Sequence, residues 1–215
     1  MIISHRHRYI FVHAPKTGGT SLALALEAKI GKVDILIGDT PKAVKRRKRL
    51  KGVTASGRLW KHSQLADIYG LVTQSDVEQY FVFTLVRNPW DRIVSYYHWL
   101  KVQHFEHPAV LLAQSLDFSG FIHHEMTRQA FSTAPYASFV TDAQGRERCD
   151  LFLRLEAISE DVAKLQSALG LRLPDLTHCN RSDRSANWRQ YFSEKDAALV
   201  AEICATDIAR FAYQF

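Results

Sequence analysis

A chain of 215 residues with 47% hydrophobic and 23% charged residues is long enough for one globular domain with a sizeable core, and its composition excludes wholesale disorder. No apolar run approaches the roughly 20 residues that cross a bilayer, no apolar leader follows Met1, and Cys149, Cys179 and Cys204 form no CxxC pair, so a cytoplasmic setting with reduced thiols is expected. The net charge of +6 is local in origin: Lys42, Lys45, Arg46, Arg47, Lys48, Arg49 and Lys51 fall in one acid-free run, the pattern of a solvated helix face, a loop, or a dock for an anionic partner.

Tyr9-Ile10-Phe11-Val12 reads as a short apolar strand. Thr20 or Ser21 then caps a helix through Leu22–Ala28, and Gly31, Gly38 and Pro41 close that unit. After the basic run, Ser63 opens a helix through Tyr69. Tyr80–Val86 is almost continuously apolar, as in a strand buried on both faces. Arg87-Asn88-Pro89 stops it, and a helix from Trp90 to Leu100 follows the proline. A helical stretch spans roughly 117–128. Residues 137–140 and 150–153 flank Asp142-Ala143-Gln144-Gly145 and predict a β-hairpin. Helices over 160–169 and 194–206 follow serine caps at Ser159 and Ser193. The alternation predicts an α/β fold, a central mainly parallel sheet flanked by helices.

A strand that runs into a glycine turn and then a helix is suited to binding an anion. Backbone N–H groups point outward at the helix start, and the dipole adds about half a positive charge. In His13–Ser21, Gly18 and Gly19 admit close approach, Thr20 and Ser21 bring hydroxyls, and Lys16 brings a full charge. The lysine precedes the glycines, unlike GxxxxGK[ST], which counts against ATP or GTP hydrolysis. The same Gly-Gly pair also serves an ordinary turn. Arg87 follows the second strand, at the edge where open α/β sheets bind ligands, and can fork onto a phosphate with Ser95 adding a hydroxyl. Two such ends imply a ligand with two separated anionic groups. The competing role for Arg87 is a structural pair with a carboxylate.

Ala14-Pro15-Lys16-Thr17-Gly18-Gly19-Thr20-Ser21 resembles the 5′-phosphosulfate loop of the sulfotransferases that use 3′-phosphoadenosine 5′-phosphosulfate (PAPS). Val86-Arg87-Asn88-Pro89-Trp90-Asp91-Arg92-Ile93-Val94-Ser95-Tyr96-Tyr97 resembles their 3′-phosphate motif in its carbohydrate sulfotransferase-like form. Arg154-Leu155-Glu156, His178–Ser182, Tyr191-Phe192 and 207–213 extend the likeness over nearly the whole chain. The resemblance implies a P-loop-like three-layer fold and a single sulfotransferase domain over 1–215.

It implies that Lys16 contacts the bridging oxygen and 5′-phosphate, that Thr17, Gly18, Gly19, Thr20 and Ser21 hold the phosphosulfate, and that Arg87 and Ser95 hold the 3′-phosphate. Lys61-His62-Ser63 resembles the histidine segment of the carbohydrate branch, which makes His62 the candidate base, the alternative being a satisfied structural histidine. Trp188, with Tyr191, can stack the adenine, and Arg181 or Ser182 can add a contact; core packing is the alternative for these aromatics. His13 is expected behind the loop and His98 in packing. No Asp/Glu pair or His/Cys set has metal-ligand spacing, so no metal is expected. The expected reaction moves a sulfuryl group from PAPS to a hydroxyl of a carbohydrate or small metabolite. A nucleotide kinase of related fold and a non-catalytic polyanion-binding protein are the alternatives; nucleic acid is not an expected partner.

Overall fold

A computed structural model describes residues 1–176 and 184–215. In chain order the elements are β1 (Ile2–Ser4), β2 (Tyr9–Val12), α1 (Gly19–Glu27), β3 (Ile35–Leu36), α2 (Pro41–Arg46), α3 (Gln74–Gln79), β4 (Phe81–Val86), α4 (Pro89–Lys101), α5 (Pro108–Ser115), α6 (Phe118–His123), α7 (Glu125–Ser132), α8 (Tyr136–Phe139), β5 (Leu151–Arg154), α9 (Ile158–Leu169), α10 (Glu194–Ile203) and α11 (Ala205–Phe211). Short 3-10 turns cover Arg47–Leu50, Leu65–Ile68, Leu155–Ala157 and Trp188–Tyr191. The described residues divide into two compact units, one built from 1–86 and 136–176, the other from 87–135 and 184–215.

The first unit holds a five-stranded sheet in the order β3-β1-β2-β4-β5. β2 pairs with β4 and β4 with β5 in parallel, with Val12 opposite Thr84 and Thr84 opposite Phe152. β1 runs antiparallel to both its neighbours, so the expected mainly parallel sheet is present with one reversed strand. Alternate residues of β2 and β4 meet on one face, where Tyr9 and Phe11 lie 5.5 and 5.4 Å from Phe83. Leu22, Ala23 and Leu26 of α1 and Leu165 of α9 belong to the same buried cluster. Burying each such side chain stabilises the unit by about 1.5–3 kcal/mol.

The basic run forms α2 and the turn after it. Four of its cations reach back to main-chain carbonyls: Lys42 to Glu27, Arg46 to Gly31 and Asp34, Arg47 to Gly38, and Arg49 to Lys32. Lys42 thereby answers the carbonyl end of α1, where a cation is favoured by the helix dipole.

The predicted hairpin is corrected. The turn at its tip exists, with Gly145 N–H donating to the Asp142 carbonyl at 3.0 Å and a bridge between Thr141 and Glu147. Its arms, however, are the helix α8 and the strand β5, and β5 takes its partner from β4. The helix expected from Ser63 is the short 3-10 turn Leu65–Ile68, capped by Gln64, while the Ser63 hydroxyl, 2.8 Å from the carbonyls of Arg58 and Trp60, binds the preceding turn. Ser159 does not cap α9, which starts one residue earlier with Ala157 at the cap position. The stretch 117–128 breaks at His124, and 194–206 breaks at Cys204.

The second unit is helical. Trp90, Ile93, Val94, Tyr97 and Leu100 of α4 bury against α5, α6, α7 and α10. Ser193 caps α10 as expected, in a capping box with Asp196. Asp196 also accepts hydrogen bonds from Ser119 and His123 at 2.7 and 3.0 Å; against the opposing effect of burial, the bonds from Ser193 and then these hold its carboxyl below the ordinary range. No helix among the described residues is long and apolar enough to cross a membrane.

Candidate active site

The first group of residues forms at the carboxyl end of β2. Thr84 donates its hydroxyl to the Val12 carbonyl at 2.7 Å, which closes the last rung between β2 and β4. The chain then turns twice through left-handed backbone, at Lys16 (φ 65°) and Gly18 (φ 82°). A lysine in that region carries conformational strain of the kind found at ligand clamps. The Thr17 hydroxyl donates to the Ala14 carbonyl at 2.9 Å, and its side chain is fully buried, so its remaining reach into the loop is through its backbone.

Thr20 and Ser21 do not cap α1. Gly18 occupies the cap position, makes no side-chain bond, and leaves the hydroxyls of Thr20 and Ser21 in the first turn. An α-helix begins with N–H groups that have no intrahelical partner, so this end presents donors and the positive end of a dipole. Both glycines are required by space. A Cβ on Gly18 would lie 2.8 Å from Leu155 Cδ1, and one on Gly19 would run into the ring of His13.

His13 and His62 meet beneath this loop. Their rings lie 4.9 Å apart, edge to face, and Trp60 packs on the other side of His62 at 5.0 Å. His62 Nδ1 lies 2.7 Å from the His13 carbonyl oxygen. A carbonyl only accepts, so Nδ1 carries the hydrogen and Nε2 carries the lone pair. Desolvation lowers the His62 pKa from 6.5 to about 4, against the opposing pull of that hydrogen bond. The imidazole is therefore neutral at neutral pH. Burial likewise holds His13 well below its ordinary value, so its imidazole is neutral behind the loop. Lys61, next to His62, pairs with Asp39 at 2.6 Å.

The second group belongs to the helical unit. Asn88 caps α4 and Pro89 occupies its first turn. Arg87 Nε and Nη2 both donate to one oxygen of Asp91, at 2.8 and 2.7 Å, and Arg184 donates to the other oxygen at 2.6 Å. The carboxylate pairing weighed for Arg87 is thus real, but it is part of a cluster with two guanidinium groups to one carboxylate. All three side chains are mostly buried, so their charges are poorly screened by salt. Ser95, one turn beyond Asp91, is 6% exposed. Arg184 was not visible in the sequence as a site residue; the spacing of Arg87 and Asp91, four apart, was the available signal.

Trp188 stands in an aromatic group, 5.5 Å from Phe215 and 6.2 Å from Phe192, with the Arg189 guanidinium 4.2 Å over its ring. Tyr191 accepts a hydrogen bond from the Ser185 backbone at 3.1 Å and packs on His98. Arg181 and Ser182 lie outside the described residues. His98 donates to or accepts from its own helix, at the Val94 carbonyl, 3.0 Å away; since a carbonyl only accepts, the imidazole donates, consistent with the packing role expected for it.

A family model described as the sulfotransferase family matches residues 1–214. The chain belongs to the sulfotransferase family. Among solved structures, this sulfotransferase is similar to mouse sulfotransferase SULT7A1 complexed with PAP, at 17% identity and a TM-score of 0.54, covering 96% of this chain and 86% of that one. It is also similar to retinol dehydratase, in a complex with androsterone and inactive cofactor PAP (16% identity, TM-score 0.55) and in a complex with retinol and PAP (15%, 0.54), each covering 99% of this chain and 84% of that one. At these identities the likeness is one of fold. No curated protein matches. The family membership decides the class of enzyme, and the kinase and the non-catalytic binder give way to it.

Proposed function

We propose that this sulfotransferase moves a sulfuryl group from PAPS to a hydroxyl of a carbohydrate or small-metabolite acceptor, with the whole chain acting as one domain. The observation that carries the reading is the junction of an uncapped helix start at Gly18–Gly19 with a neutral His62, through the peptide of His13. The loop fits a phosphosulfate, since Gly18 turns through left-handed backbone into a helix start that carries no side-chain cap, where N–H groups favour an anion. When bound, the donor supplies a sulfur centre on a bisphosphate that leaves as a stable anion.

The chain's own part is proton transfer and charge stabilisation. His62 Nε2 takes the acceptor's hydroxyl proton as the bond from acceptor oxygen to sulfur forms and the bond from sulfur to phosphate oxygen breaks. Lys16, the first α1 N–H groups and the Thr20 and Ser21 hydroxyls face the charge gathering on the departing oxygen, with Thr17 bracing the loop. Arg87, steered by Asp91, and Ser95 hold the 3′-phosphate, and Arg181, Ser182 and Trp188 complete the nucleotide side. A small-molecule acceptor is consistent with the neighbours that hold retinol or androsterone. A cytoplasmic setting is consistent with Cys149 and Cys204, which are unbridged thiols.

Titration calorimetry tests the donor. The chain should bind 3′,5′-bisphosphoadenosine without magnesium, and Lys16→Ala should weaken that binding severely. Affinity for magnesium-ATP with none for the bisphosphate would overturn the reading.

A further inference from the structure

Next to the candidate base, the first unit contains a cleft of about 560 Å³, within the roughly 300–1,000 Å³ usual for small-molecule sites. Its apolar lining comes from Leu36, Ile37, Leu50, Leu59 and Trp60. Trp60 is 44% exposed, a large aromatic surface left open where most tryptophans are covered. The same Trp60 ring that lines the cleft abuts His62, with 5.0 Å between ring centroids, so the imidazole stands next to the cleft wall.

The charged lining is one-sided. Arg47, Lys51 and Lys61 stand against a single carboxylate, Asp39, which Lys61 already engages. Arg58 adds a guanidinium 5.2 Å over the Trp60 ring. Arg47 and Lys51 come from the basic run; Arg47 bonds the Gly38 carbonyl, itself part of the cleft lining, while Lys42, Arg46 and Arg49 are tied to carbonyls elsewhere. The run thus supplies structural cations on one side and cleft cations on the other.

We infer that this cleft is the acceptor site and that it takes an amphipathic anion: a hydroxyl on an apolar skeleton that also bears a carboxylate, phosphate or sulfate. The assignment rests on the sulfotransferase reading and narrows its acceptor. An apolar floor rewards burial of a hydrocarbon body, and the surplus cations reward a charge that a neutral alcohol lacks. A saccharide, with a hydroxyl on nearly every carbon, would leave many polar groups against Leu36, Ile37, Leu50 and Leu59, each costing free energy when unpaired.

The test uses the full chain loaded with 3′,5′-bisphosphoadenosine and three probes: ω-hydroxydodecanoate, neutral dodecanediol, and glucuronate as a polar anion. Direct calorimetric binding should favour ω-hydroxydodecanoate over the other two by about tenfold or more. Lys51→Glu should weaken that probe about tenfold, leave dodecanediol unchanged, and leave bisphosphate affinity unchanged. Trp60→Ala should weaken both alkyl probes together. ω-Hydroxyalkyl phosphate and sulfate probes then identify the preferred anion. Equal binding of the diol, preference for glucuronate, or no response to Lys51→Glu would overturn the assignment. The donor reading fails separately, through loss of bisphosphate binding, and the cleft is still read by the same probes on the unloaded chain.

Discussion

The two ends proposed to receive anions in this chain are built differently. At β2 the donors are main-chain N–H groups, fixed by the left-handed turn at Gly18 and by the packing of His13 on Gly19. At β4 they are guanidinium groups, aimed by a shared carboxylate, Asp91. Backbone donors neither titrate nor rotate, so their geometry is vulnerable only to changes that move the chain. Side-chain donors are vulnerable one bond at a time. The contrast teaches where specificity for an anion can be tuned gradually and where it is all or nothing.

His62→Ala touches neither set of donors and should show the largest effect on turnover. Loss of a general base costs about a hundred- to ten-thousand-fold in kcat, while bisphosphate affinity by calorimetry should stay within a factor of about two, below the energy of one hydrogen bond. Normal turnover would remove His62 from the chemistry. Arg87→Ala should weaken bisphosphate binding by about ten- to a hundredfold, the loss of charged hydrogen bonds. Gly19→Ala should damage both binding and folding, since the added methyl overpacks His13 at about 1–3 kcal/mol. A chain with this change that melts normally and binds normally would refute the backbone cradle. Asp91→Asn should be milder, about three- to tenfold in affinity, because Arg87 and Arg184 remain but lose their aim. Tighter binding in that variant would show Asp91 to be a competitor of the ligand.

Acid should produce the smallest change. His62 has a lowered pKa in the fold, about 4 against an ordinary 6.5, so the unfolded chain binds more protons between those values. Stability therefore rises with pH across that window and is lost as pH falls through it. Melting followed by circular dichroism should drop by a few degrees from pH 6.5 to pH 4, and less in His62→Asn.

The elements that were legible in the sequence are those whose signal is local. β2 and β4 announced themselves as apolar runs, α4 by Asn88-Pro89, and α10 by Ser193. β1 was missed because three residues, Ile2–Ser4, carry too little pattern, and they sit beside a basic turn. The hairpin was over-read because its tip is a real turn, while the partner of β5 lies far away in sequence on β4. The site divides the same way. Lys16, the glycines, Arg87 and His62 could be named from motifs, but the shared use of Asp91 by Arg184 is a contact across 93 residues that no spacing encodes.

One peptide unit joins the proposed anion loop to the candidate base. The carbonyl of His13 receives the His62 Nδ1 hydrogen, and the chain continues from that carbonyl directly into the anion loop. The carbonyl acts as a tautomer selector: without it the imidazole is at liberty to carry its hydrogen on Nε2 and present a donor where a base is needed. In the proposed mechanism, a rotation of that peptide would free the hydrogen to move to Nε2 and so remove the base, apart from any change in the anion loop itself.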